Sequence, residues 1–83
     1  MERRIGVVGI VVEDRNKSPE INSIISQYGN IIVGRMGIPN RDKGLGVISL
    51  IVEGTTDEIG AMTGKLGNIK GVQVKSALSN KYK

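Results

Sequence analysis

The sequence predicts an α+β fold with strands and helices in the order β-α-β-β-α-β, two helices lying on one face of an antiparallel sheet ordered 4-1-3-2. Three observations carry this expectation. β-Branched residues concentrate in runs that lack helical spacing, the apolar period switches to a helical one in two intervening segments, and short polar segments containing glycine separate the elements. At 83 residues the chain has the length of a single domain, residues 1–83.

The first run, "RRIGVVGIVVE" (residues 3–13), is rich in valine and isoleucine and reads as a strand. Two arginines precede its short apolar stretch, in the manner of a secretion leader. The stretch closes on "ED" without a small-residue cleavage site, so the strand reading is preferred. "SPEINSIISQYG" follows with Ser18 as the expected N-cap, Pro19 at the first helical position, and Ile21, Ile24, Ile25 and Tyr28 along one helical face until Gly29. "IIVGRMGIP" (residues 31–39) and "LGVISLIVEG" (residues 45–54) are strands joined by the polar turn "NRDKG". Gly34 and Gly37 weaken the first of these unless a bulge or a close neighbour requires them.

The second helix is expected to start at a Thr56 cap, with Asp57 and Glu58 in its first turn and Ile59, Met62 and Leu66 as its apolar stripe. In the closing strand "GVQVKSALS", Val72, Val74, Ser76 and Leu78 alternate with Gln73, Lys75 and Ala77. This order of elements is the ferredoxin-like split βαβ arrangement, a two-layer sandwich that leaves one sheet face without helices.

That uncovered face is not polar in the sequence. In the first strand Val8, Ile10 and Val12 oppose Ile5, Val7 and Val11; in the third, Ile48, Leu50 and Val52 oppose Leu45, Val47 and Ile51. Both central strands are therefore apolar on both sides, which predicts a homo-oligomer, dimer or tetramer, with Ile5, Val7, Val11, Val47 and Ile51 at its interface. The competing expectation is that long side chains such as Arg35, Gln73 and Lys75 cover the face within one chain.

Composition narrows the function. The formal charge is +4, but Arg3, Arg4, Lys81 and Lys83 lie at the two ends, and the remainder carries 8 basic against 8 acidic residues. These ends read as solvated tails, and no direct binding of nucleic acid is expected: Tyr28 and Tyr82 are the only aromatic residues, so no row of rings stands on the middle strands to stack on bases. The chain has no Cys and no His, which leaves no disulfide, no zinc site and no thiol or imidazole catalyst. No metal and no cofactor is expected. No segment has the roughly 20 apolar residues of a membrane span, and a cytoplasmic protein without membrane contact is the expectation. Neither a Walker A loop nor a dinucleotide fingerprint is present.

The predicted topology gathers three polar loops at one end of the sheet: residues 13–18, the hairpin tip at 40–44 and residues 67–71. The candidate ligand-binding residues are Asp14, Arg15, Asn16, Arg35, Arg41 and Lys43, a mixture of charges that suits a zwitterionic effector such as an amino acid. An acylphosphatase-like enzyme would need an anion-binding loop after the first strand, where this chain places "ED", so no catalytic residue is assigned. A docking adaptor for a regulatory protein partner is the alternative to a ligand-binding module.

The element order, the aliphatic two-faced sheet and the short loops resemble an ACT-type regulatory domain, whose members bind small effectors near the loop after the first strand at an interface between copies. The ligand-binding half of nickel-responsive repressors is similar in fold, although the residues that would hold nickel are missing here. More specifically, "YGNIIVGRMGIP" (residues 28–39) and "GKLGNIKGV" (residues 64–72) resemble a family of short stand-alone bacterial proteins identified as regulators of the iron-only hydrogenase system. This resemblance implies an ACT-like fold and a regulatory role near hydrogenase expression or maturation, with transcriptional and post-translational regulation both open.

Overall fold

The computed structural model describes residues 3–40 and 44–82, with the side chains of residues 39, 40, 81 and 82 outside that description. The elements are β1 (Arg3–Val12), α1 (Ser18–Gln27), β2 (Ile32–Asn40), β3 (Leu45–Thr55), α2 (Thr56–Gly67) and β4 (Val72–Tyr82). Short 3-10 turns at Arg15–Lys17 and Gly29–Ile31 flank α1. The sheet is antiparallel throughout and ordered β2-β3-β1-β4, which is the expected 4-1-3-2 arrangement.

Burial follows the predicted faces. Val8, Ile10 and Val12 of β1 and Leu50 and Val52 of β3 are buried beneath Ile21 and Ile25 of α1 and Ile59, Met62 and Leu66 of α2. Complete burial of each such side chain contributes about 1.5–3 kcal/mol, and among the described residues no polar or charged residue belongs to the buried set. Ile31, Ile69 and Val72 close the ends of this core.

Several boundaries differ from expectation. Ser18 is the first residue of α1, not its cap: the preceding position is Lys17, which makes no side-chain capping bond. Asp14 does the capping one turn earlier, its Oδ1 accepting from Asn16 N at 3.0 Å and its carbonyl from Lys17 N at 3.0 Å. The cap of α2 is Thr55 rather than Thr56. Glu58 N donates to Thr55 Oγ1 at 3.1 Å while Thr55 N donates to Glu58 Oε1 at 2.9 Å, a reciprocal capping box.

Within the described residues the two terminal segments are strands and not loose tails, while Lys83 lies outside them. Arg3 Nη2 donates to the Glu53 carbonyl at 2.9 Å, Arg4 Nη1 to the Ser79 carbonyl at 3.0 Å, and β4 continues to Tyr82. The β1–β4 register shifts between Arg4 and Gly6. There the Ile5 amide donates to Ser79 Oγ at 3.3 Å. Gly6 sits where β4 comes closest: a Cβ at this position would strike the Ala77 carbonyl oxygen and lie 2.7 Å from Leu78 Cδ2.

The second irregularity reshapes the edge strand. Ile32 pairs with Val52 but Gly34 pairs with Ile51, so Val33 is an extra residue in β2, a β-bulge. Because strand side chains alternate, one inserted residue exchanges the faces of everything after it. Arg35 and Gly37 therefore oppose Leu50 and Ile48 on the helix side, and Met36 and Ile38 oppose Ser49 and Val47 on the uncovered side. Arg35 does not cover the bare face. Its Nη2 donates to Asn22 Oδ1 of α1 at 2.7 Å, on the other side of the sheet.

Three measurements check this account. Thr55→Ala should cost about 1 kcal/mol and lower the melting temperature by roughly 4–8 °C, read by scanning calorimetry. The Glu58 carboxyl is held below its ordinary value of 4.5, first by the Thr55 backbone N–H and then by the Thr55 hydroxyl, with Arg3 adding a smaller push in the same direction. Its contribution is therefore complete above that value and lost as the pH falls through the lower folded-state value, so the stability gap between wild type and Glu58→Gln should be constant near neutrality and close on acidification below about 4.5. In the third measurement, Gly6→Ala should destabilise the fold by about 1–3 kcal/mol through overpacking against β4, whereas Gly60→Ala, which meets nothing within 4 Å, should not.

Candidate functional site

The loop end of the sheet is drawn together by backbone pairing. Val12 closes β1 opposite Gly46 on one side and Val72 on the other, and the Glu13 amide donates to the Gly71 carbonyl at 2.7 Å. Gly71 has φ +83°, a left-handed conformation that favours glycine, and a Cβ there would lie 3.3 Å from the Cβ of Asp14. The loop after α2 thus seats the loop after β1.

Beside this junction an open cleft of about 230 Å³ lies between the start of α1 and the hairpin end of β2 and β3. Among the described residues it is lined by Val12 and Ile48, which stand at helix-face register positions, by Ile38, Leu45 and Val47 of the hairpin strands, and by the polar Arg15 and Ser18. Gly37 and Gly46 make the space. Both stand at helix-face register positions, opposite Ile48 and Val12, where an alternating strand would otherwise carry side chains. Among the described residues the lining has no carboxylate, and it offers a guanidinium and a hydroxyl over an apolar floor: the means to hold an anionic group with a small apolar body.

The predicted site residues are distributed unevenly around this cleft. Arg15 lines it. Asp14 and Asn16 are adjacent, but their bond to one another builds the 3-10 turn that presents Arg15. Arg35 is engaged with Asn22, and Arg41 and Lys43 lie outside the described residues. Lys65, another basic residue of this side, donates to Gln27 Oε1 at 3.3 Å and stands 5.1 Å from the Tyr28 ring centroid. Ser18 and the two glycines were not recognised from the sequence; the usable signal was Gly46 opposite Val12, a pairing that requires the register to be known. Of the predicted interface residues, Ile5, Val7, Val47 and Ile51 are exposed and Val11 is half-buried. Met36 and Ile38, each 64% exposed, join them through the bulge. Among the described residues no cluster of three or more metal-ligating side chains occurs, and no helix is long and apolar enough to cross a membrane.

Comparison with known proteins agrees with this architecture. Residues 4–76 match the family model described as TM1266-like, iron-only hydrogenase system regulator. The structure of the uncharacterized protein TM1266 from Thermotoga maritima superposes with a TM-score of 0.87 at 38% identity, covering 93% of this chain and 98% of that one. The ACT domain from GTP pyrophosphokinase of Chlorobium tepidum gives a TM-score of 0.75 at 24% identity, over 90% and 99% of the two chains. A formyltetrahydrofolate deformylase from Pseudomonas putida KT2440 gives 0.68 at 7% identity, over 93% of this chain and 29% of that one, a likeness of fold alone. No curated protein matches the chain. The fold is ACT-like, and with the family model spanning most of its length the chain belongs to the TM1266-like family of iron-only hydrogenase system regulators.

Proposed function

We propose that this protein is a non-enzymatic, cytoplasmic regulatory module of the iron-only hydrogenase system that works as a homo-oligomer and binds a small effector, of the amino-acid class, in the cleft between α1 and the hairpin. The observation that carries the reading is the cleft itself: aliphatic walls, one guanidinium and one hydroxyl. A carboxylate on Arg15 with an aliphatic or small polar body against Val12 and Ile48 uses every group the lining offers. The cleft volume is below the range of about 300–1,000 Å³ typical of drug-sized ligands, which favours a metabolite of few heavy atoms. Membership of the family supports the regulatory role and its link to hydrogenase.

The test is scanning calorimetry across a panel of amino acids, other carboxylate metabolites and nucleotides. A ligand at 100 times its dissociation constant stabilises by about 2.7 kcal/mol, a rise on the order of ten degrees for a domain of this size. Arg15→Ala should abolish the rise, and Gly46→Val should do the same by filling the cleft, with each variant retaining its own cooperative transition. Binding that survives both changes places the effector elsewhere; no shift across the panel removes the effector and leaves a docking adaptor for a regulatory protein.

A further inference from the structure

The uncovered face of the sheet has relief as well as exposed apolar area. In register across it, Val47 and Val11 form one ridge and Ile51 and Val7 a second, and between them Ser49 and Gly9 floor a trough. Met36 on β2 and Lys75 on β4 stand at the two ends of that trough. The fold does not require the glycine in its middle. Gly9 does not have a positive φ, and a Cβ added there would meet nothing nearer than the Lys75 carbonyl oxygen at 3.9 Å. Gly6, three residues away on the same strand, is excluded from bearing a side chain by β4. A glycine inside a central strand lowers its stability, and where no bulge or turn needs one it marks the close approach of something else.

We infer that the face is a homodimer interface in which two copies stack sheet on sheet about a two-fold axis, the Ile51–Val7 ridge of each entering the Ser49–Gly9 trough of the other. An isologous contact requires a surface that complements itself, and adjacent ridge and trough meet that requirement when the axis passes between them. Rows on one face are about 7 Å apart along the strand, so a shift of one row exchanges ridge for trough. The charged side chains at register positions on this face, Arg3, Glu53 and Lys75, are marginal, the first two at one end of β1 and β3 and the third on the edge strand; a two-fold operation brings no like charges together at the centre. The exposed side chains of Ile5, Val7, Met36, Ile38, Val47 and Ile51 amount to a patch on the order of 500 Å². That is near the upper end for a monomer's surface and, with a rim added, approaches the ~800 Å² per partner of a standard interface. The assignment gives the oligomeric part of the function above a specific surface, and does not depend on the effector.

The experiment is sedimentation equilibrium of the full chain from about 1 to 100 µM, with circular dichroism and thermal melts as controls for folding. Wild type should sediment at twice the 8.9 kDa of one chain. Gly9→Val fills the trough and should weaken association at least tenfold while its melt in the monomeric range is unchanged or raised, because valine favours strands more than glycine does. Ile51→Glu should also dissociate the dimer, and Gly9→Ala, a single methyl in open space, serves if the valine variant misfolds. A monomeric wild type at 100 µM overturns both this interface and the oligomeric reading. A wild-type oligomer whose dissociation constant survives either the Gly9 or the Ile51 change overturns this interface alone.

Discussion

Strand β1 is hydrogen-bonded along both edges and apolar on both faces, and the placement of the other elements follows from it. Its pairing with β3 runs without a break from Arg3 opposite Thr55 to Val12 opposite Gly46. Its pairing with β4 brings the chain's closing strand beside its opening one. Once β3 and β4 flank β1, the two connecting helices have one shared surface on which to bury Ile21, Ile25, Ile59, Met62 and Leu66, and that surface is the row Val8, Ile10 and Val12 with Leu50 and Val52. A chain of this size hides only about two thirds of its unfolded surface by folding alone. The second apolar row of β1 is thus the unused half of its hydrophobic content, and covering it with a second copy would be energetically favourable.

The edge strand shows how one inserted residue alters the outcome. Had β2 continued without its bulge, Met36 and Ile38 would stand under α1 and Arg35 would stand on the uncovered face. With Val33 inserted, the guanidinium reaches Asn22 and ties the edge strand to α1, while two large apolar side chains extend the bare face outward from the central strands. The same exchange puts Gly37 on the helix side, where its lack of a side chain contributes to the cleft. A single irregularity therefore bears on core, cleft and exposed face together, which is the usual economy of a bulge near a functional region.

The degree to which sequence predicted structure varied with the range of the interaction. Alternation in β1, β3 and β4 and the helical stripes of α1 and α2 are local patterns, and each buried face was legible from them. Caps were displaced by one position because Thr55 and Thr56 are chemically equivalent candidates and only the Glu58 side chain, which returns to the Thr55 amide, decides between them. Ser18 was misassigned because the chain enters α1 through a 3-10 turn capped by Asp14, so the helix meets an already turned backbone. The face of Arg35 was not legible at all: Gly34 signalled an irregularity, but a bulge reverses faces only once its position in the register is fixed by pairing with β3. Of the residues that line the cleft, the sequence pointed to Arg15, and missed Gly37 and Gly46 because what they contribute is the absence of a side chain opposite residues on another strand.

The cleft and the bare face meet at one place. Ile38 and Val47 are paired across β2 and β3, line the cleft and belong to the exposed apolar surface. They sit at the hairpin end of the sheet, where β2 is an edge strand held to the helix layer by the Arg35–Asn22 bond. A rearrangement of this end that opens or closes the cleft necessarily moves the margin of the face, because the same two residues form the boundary of both. Coupling between a ligand and association would then follow from differential contacts at shared residues, at a distance from the buried Leu50, Val52 and α2 stripe. On the reading proposed above, the effector site and the interface would share one hairpin, with Ile38 and Val47 at the margin of both.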